Sequence, residues 1–179
     1  MRVLGLITQY NPFHNGHLYH LEESKKITNS DFTVVVMSGN YVQRGEPAIV
    51  DKWTRTKMAL EAGADLVLEL PVVYATSSAE FFAFGAISIL HHSNITDCIS
   101  FGSELGSIDL LSQIADFLFF ESDHYKMKLK AYVSKGLAFP LARNKALISE
   151  FIDKKINIPK EELNKILSSS NNILAIEYL

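Results

Sequence analysis

Val3-Leu4-Gly5-Leu6-Ile7-Thr8-Gln9-Tyr10-Asn11-Pro12-Phe13-His14-Asn15-Gly16-His17-Leu18-Tyr19-His20-Leu21-Glu22-Glu23 is the stretch on which the reading of this sequence turns. Val3–Ile7 is a short apolar run of strand length, and Gly16–Thr28 carries a helical pattern, so the chain passes from strand to helix through a tight polar loop. The first turn of a helix leaves backbone N–H groups unpaired and carries positive partial charge, which suits a phosphate. Gly16 lets a flat base or a phosphate approach the backbone without a Cβ in the way. His14 and His17 offer N–H donors to charge developing on phosphate oxygens.

Outward from this loop the pattern repeats. Val3–Ile7, Phe32–Met37, Leu66–Leu70 and Asp97–Phe101 read as strands buried on both faces. Gly16–Thr28, Asp51–Ala62, Ser77–His91 and Ile108–Phe120 read as the helices between and after them. Strand and helix in regular alternation imply an α/β fold: a Rossmann-like parallel sheet, helices on both faces, right-handed crossovers and ligands beyond the strands' carboxyl ends. From Asp123 the pattern is helical only, which divides the chain into a nucleotide-binding domain over 1–122 and a helical extension over 123–179. The final run, Ile173 to Leu179, begins an amphipathic helix and stops without a cap, the mark of a fragment.

The 179 residues carry a net charge of -3 with 47% hydrophobic and 21% charged side chains, an ordinary globular composition without a broad basic footprint for nucleic acid. Any RNA contact must therefore be local. Cys98 is the single cysteine and lies in an apolar run, so an internal disulfide is excluded and packing is its expected role. No apolar stretch is long enough to span a bilayer and no secretory leader is recognisable, which makes a cytoplasmic location the expectation.

Other candidates sit near the strand ends. Ser38-Gly39-Asn40 should overhang the first loop, and Arg44 could hold a phosphate or carboxylate in two parallel bonds, the alternative being a surface pair with Glu46. Asp51 fits an N-cap, while Lys52 and Arg55 occupy an opening helical turn where the dipole disfavours cations, which hints at an anionic partner. Glu69 suits a buried, partnered carboxylate or a metal contact, the structural role being the leading one. His14, His17 and His20 could share a helix face as metal ligands, but no Cys or acidic residue has matching spacing, so no metal site is assigned. Phe117, Phe119, Phe120 and Tyr125 read as core rather than a stacking platform.

Asn11-Pro12-Phe13-His14-Asn15-Gly16-His17, Met37-Ser38-Gly39-Asn40, Gln43-Arg44-Gly45-Glu46-Pro47, Lys52, Arg55, Phe101-Gly102-Ser103-Glu104 and Asn171-Asn172-Ile173-Leu174 together resemble the bacterial tRNA(Met) cytidine acetate ligase family. His14-Asn15-Gly16-His17 is similar to the His-x-Gly-His signature of the wider nucleotidyltransferase superfamily. The resemblance implies an enzyme that activates acetate with ATP to acetyl-adenylate and pyrophosphate, then acetylates N4 of the wobble cytidine of elongator tRNA(Met). It implies nucleotide contacts along Ile7–His20 and at Gly102 and Asn171, with Asn172 the alternative to Asn171. His14, His17 and Arg44 are then the catalytic candidates. Mg2+ is expected to accompany ATP, without a dedicated protein cage. The family's proteins are longer, and their later part is expected to supply a further nucleotide-binding arginine and tRNA contacts. Two other readings share the signature: an adenylyltransferase acting on a phosphorylated small molecule, and a non-catalytic nucleotide- or RNA-binding module.

Overall fold

Four parallel strands, β1 (Val3–Thr8), β2 (Phe32–Ser38), β3 (Leu66–Leu70) and β4 (Cys98–Ser100), form a sheet in the order β3-β2-β1-β4. The computed structural model describes residues 1–154 and 158–179. The chain winds outward from β1 to β3, then returns to place β4 on the other side of β1. The strand order thus reverses beside β1, and at such a switch point the loops diverge and leave a crevice beyond the carboxyl ends. The loop after β1 opens there.

Helices α1 (Asn15–Thr28), α2 (Lys52–Glu61), α3 (Val72–Ala75) and α4 (Ala79–Ser93) connect the strands. The expected elements are present, with two differences. Val72–Ala75 forms a separate short helix, because Thr76 Oγ1 and Ser77 Oγ bond back to the carbonyls of Val72 and Val73 at the helix end. Burial on both faces holds for β2 beyond Phe32 and for most of β1, but β3 is largely exposed and β4 is half-buried. Both lie at the sheet's edges, where one flank has no neighbouring strand.

One aspartate stands directly before each later strand: Asp31, Asp65 and Asp97. Their carboxylates accept the N–H groups of Arg2 (2.7 Å), Thr33 (2.8 Å) and Val3 (2.7 Å) on the neighbouring strand. Each aspartate also donates its own N–H to a carbonyl of that strand, Arg2, Thr33 and Val3 in turn. This doubled clamp satisfies donors at the strand starts and holds the register, since a one-residue slip would carry every side chain to the opposite face of the sheet and undo the packing on both. On one face Leu4, Leu6, Val35 and Met37 pack with Tyr10, Leu21, Ala59 and Ala64. Burying each of the larger aliphatic side chains contributes about 1.5–3 kcal/mol.

The described residues divide into two compact units, Met1–Gly102 with Tyr178, and Ser103–Glu177 with Leu179. The division falls at Gly102/Ser103 rather than after residue 122, because α5 (Ile108–Phe119) belongs with α6 (Asp123–Ser134), α7 (Phe139–Asp153), α8 (Lys160–Ser168) and α9 (Ser170–Tyr178). Within this helical unit Phe117 packs on Phe151 at 4.5 Å and Tyr125 is buried, as expected of core residues. Phe119 and Phe120 are not core; they are 80% and 73% exposed at the end of α5. No helix among the described residues is long and apolar enough to cross a membrane.

Candidate functional site

The chain leaves β1 at Thr8 and turns through Tyr10, whose φ is 45°, and a cis Asn11-Pro12 bond before α1 starts. His14 is the N-cap, in extended conformation, and forms a capping box with His17. His14 Nδ1 accepts the Gly16 N–H at 3.1 Å, and His17 Nδ1 accepts the His14 N–H at 3.3 Å. The imidazoles therefore take the capping role usual for Ser, Thr or Asp. A ring nitrogen that accepts an N–H carries a lone pair, so in the neutral ring the proton sits on Nε2. Both Nε2 atoms are thereby set as donors, with no protein partner among the described residues.

The two rings stack, centroids 3.6 Å apart at 21°. Burial, together with His14 and His20, pushes the His17 pKa down to about 4, so the ring is neutral near pH 7. His20 is also shifted down, by burial, and its Nε2 is buried without a partner. It faces inward rather than toward the mouth. Gly16 serves a second purpose beyond open access: a Cβ there would lie 3.0 Å from His14 Cε1 and 3.1 Å from its Nδ1. An added methyl would press on the His14 ring and shift it by a few tenths of an ångström from its place over the helix start.

Arg55 and Lys52 prove to be structural rather than free cations. Arg55 is fully buried and spreads its guanidinium over three loops: Nη1 to the Gln9 carbonyl (2.6 Å), Nε to that of Val50 (3.0 Å), and Nη2 to that of Gly39. Its planar fork can bind several carbonyls at once, which a lysine cannot. Lys52 Nζ pairs with Glu69 Oε2 at 2.6 Å. Glu69 is partnered as expected but half-exposed, and it lies against Gly39, where a Cβ would meet its Oε1. Asp51 caps α2, accepting the N–H groups of Trp53 (3.0 Å) and Thr54 (3.1 Å).

The 40s loop is tied to the first turn, since Asn11 Oδ1 accepts the Ile49 N–H at 2.7 Å. Its tip is Arg44, exposed, with φ 78° and no side-chain hydrogen bond or ion pair among the described residues, so the alternative pair with Glu46 is not formed. A side-chain-bearing residue at positive φ costs about 1–3 kcal/mol and persists where the surroundings impose it. Gly102, after β4, is exposed; it needs no positive φ, and a Cβ there would meet nothing within 4 Å. Nothing inside this unit requires a glycine at that point.

In the helical unit, Glu104 accepts the N–H groups of Asn171 (3.2 Å) and Asn172 (2.9 Å) and so caps α9. Asn172 is 2% exposed, and its Oδ1 holds the Leu105 N–H at 3.1 Å. Asn171 keeps an exposed side chain. Among the described residues no group of three or more His, Cys, Asp or Glu is placed to hold a metal ion.

A parallel sheet reversing beside β1, with paired imidazoles at its first β-α turn, is a Rossmann-like α/β domain with its candidate site at that turn. The sequence model of the HIGH nucleotidyl transferase family matches residues 1–179, and the chain belongs to that family. Within it the chain is 59% identical over 179 residues to the tRNA(Met) cytidine acetate ligase of Thermoanaerobacter sp. (strain X514), covering 100% of this chain and 43% of the relative. The enzyme of the same name from Acetivibrio thermocellus is 60% identical over 179 residues, with 100% and 42% covered. Among solved structures, Thermotoga maritima TmcAL bound with alpha-thio ATP superposes with a TM-score of 0.93 at 47% identity, covering 99% of this chain and 42% of that one. Its apo form gives 0.94 at 47% identity, with 99% and 41% covered. The chain thus spans less than half the length of these relatives.

Proposed function

We propose that this chain is the ATP-binding, acetate-activating part of a tRNA(Met) cytidine acetate ligase. The observation that carries the reading is the His14–His17 box at the switch point, where both Nδ1 atoms are committed to the helix and both Nε2–H groups are left to face an anion. The Thermotoga protein's complex with an ATP analogue supports nucleotide binding on this fold.

In acyl adenylation a carboxylate oxygen of acetate attacks the α-phosphorus in line; the new C–O–P linkage forms as the bond to pyrophosphate breaks. Charge grows on the equatorial oxygens and the leaving group, so positioning and hydrogen-bond donation do most of the work. His14 and His17 donate from Nε2 to those oxygens, His17 as a neutral ring. The exposed backbone around Gly16 accommodates the nucleotide, and Gly102, which nothing internal explains, fits a second close approach by the ligand. Arg44, unpartnered on a loop anchored to Asn11, is available to a phosphate or to the acetate carboxylate. Of the two asparagines, Asn171 is the one with an exposed side chain, Asn172 being buried. Tyr10 can meet the nucleotide only through its backbone, its side chain being buried. With no carboxylate cage among the described residues, Mg2+ would arrive on the nucleotide phosphates, where it neutralises charge.

The acetyl group then passes to N4 of the wobble cytidine of elongator tRNA(Met), the amine displacing AMP. The test is acetate-dependent ATP–pyrophosphate exchange, on this chain and on a chain of the relatives' length, each with His14→Ala and His17→Ala. Loss of exchange by about 10²–10³ per substitution is expected. Exchange that ignores acetate, or survives both substitutions, overturns the reading.

A further inference from the structure

We propose that Tyr10 is a positioning residue: its buried ring, with Phe13, is the pedestal that holds His17, and through it His14, in the orientation used at the nucleotide mouth. The inference deepens the proposed function and rests on that reading for its catalytic meaning.

Tyr10 violates a local rule. A bulky side chain at φ 45° is an outlier that glycine or asparagine would adopt more cheaply. The inverted backbone turns the ring away from the loop and into the core, where it is 1% exposed among Leu4, Leu6, Leu21, Val35, Met37, Ala59 and Ala64. A ring of this size stabilises by more than the backbone conformation costs. Burial alone does not explain the choice of an aromatic, because any large apolar residue would fill that space. The ring contacts do. Tyr10 meets Phe13 edge-on at 4.7 Å and 73°, and meets His17 at 4.9 Å and 56°; Phe13 reaches His17 at 5.7 Å. His14 then stacks on His17.

An aromatic sequence therefore runs from the interior to the surface, from Tyr10 through His17 to His14. Each imidazole is held by one weak bond to a backbone N–H, which alone would leave the ring free to swing. Two tilted aromatic contacts to His17, from Tyr10 and Phe13, restrict that freedom and help to bury the ring, consistent with its lowered pKa. Thr8 is the one polar side chain near the buried phenol hydroxyl among the described residues, and the contacts with His17 and Phe13 are made by the ring, which Tyr10→Phe keeps.

The experiment is NMR titration of the His17 ring in nucleotide-free protein, read together with ATP affinity and ATP–pyrophosphate exchange. The variants are Tyr10→Leu, which keeps apolar bulk, and Tyr10→Phe, which keeps the ring. His14 and His20, the other imidazoles acting on His17, are assigned in the same spectra. In Tyr10→Leu the His17 midpoint is expected to climb from about 4 toward the ordinary imidazole value of about 6.5. Exchange falls about tenfold or more in the rate constant at saturating ATP. Tyr10→Phe restores both. A folded Tyr10→Leu with an unmoved His17 titration and full exchange overturns the proposal, as does a Tyr10→Phe that behaves like Tyr10→Leu. If Tyr10→Leu does not fold, Phe13→Leu takes its place with the same expected and opposing results. Because the titration needs no nucleotide, absence of ATP binding in the unsubstituted chain would sink the proposed function while leaving the pedestal to be judged on its own.

Discussion

Replacing Arg55 by methionine tests whether this guanidinium is a rivet or a phosphate ligand. The side chain is fully buried and donates to the carbonyls of Gln9, Gly39 and Val50, which belong to the loops after β1 and β2 and before α2. A bond from a charged donor is worth about 1.5–3 kcal/mol, and each carbonyl left buried without a donor costs about 1–3 kcal/mol. The three losses share one side chain and are not additive, and the apolar replacement recovers part of the arginine's desolvation cost. The net expectation is a loss of about 3 kcal/mol, or about 6–12 °C in Tm for a chain of this size. Urea unfolding followed by circular dichroism measures it, with ATP affinity read in parallel on the folded fraction. Arg55→Lys should lose nearly as much, since one compact ammonium cannot span three carbonyls. An Arg55→Met protein within about 0.5 kcal/mol of the parent, or an Arg55→Lys protein with parental stability, would refute the rivet and return Arg55 to the anion-binding role suggested by its place in the helix.

Gly16→Ala should leave stability within about 1 kcal/mol, because alanine favours the helix while its Cβ crowds the His14 ring; ATP affinity by calorimetry should fall about tenfold, and unchanged affinity would remove the steric argument. Acidification should weaken the fold through His17: with the folded pKa at about 4 and the unfolded one at about 6.5, the unfolded chain takes up the proton first, so stability is full above about 6.5 and is lost as pH falls through about 4. Urea midpoints across that window for the parent and His17→Gln check it, and parallel curves would contradict it. Asp97→Ala should cost about 1–2 kcal/mol by exposing the Val3 N–H, measured by the same unfolding assay. Gly102→Ala should not change the melting temperature yet should weaken ATP binding, because its added Cβ meets no protein atom; parental affinity would argue against a ligand at that point.

Much of the architecture was readable because hydrophobic periodicity is a local property. Four runs rich in valine, isoleucine and leucine, spaced by helical patterns, require a parallel sheet with crossover helices, and the Pro12 to His17 loop could be placed at a strand's carboxyl end without coordinates. The Asp31, Asp65 and Asp97 positions carry the same kind of signal, an acid directly ahead of each later strand, although their bonds to the neighbouring strand emerge only from the pairing. The short helix Val72–Ala75, ahead of the third expected helix, carries no such signal, because Thr76 and Ser77 terminate it through side-chain bonds that propensity does not weigh.

The sequence alone determined the order of strands and helices and the pairing of two imidazoles with a glycine at a helix start, since each depends on residues a few positions apart. Tertiary structure decided which polar groups are free. Arg55 and Lys52 resembled anion ligands until their partners 46 and 17 residues distant took them, and Tyr10 resembled a loop residue until its backbone turned the ring inward. A side chain's hydrogen bonds and burial are set by whichever distant backbone the fold brings within about 3 Å, and no local pattern encodes that neighbour.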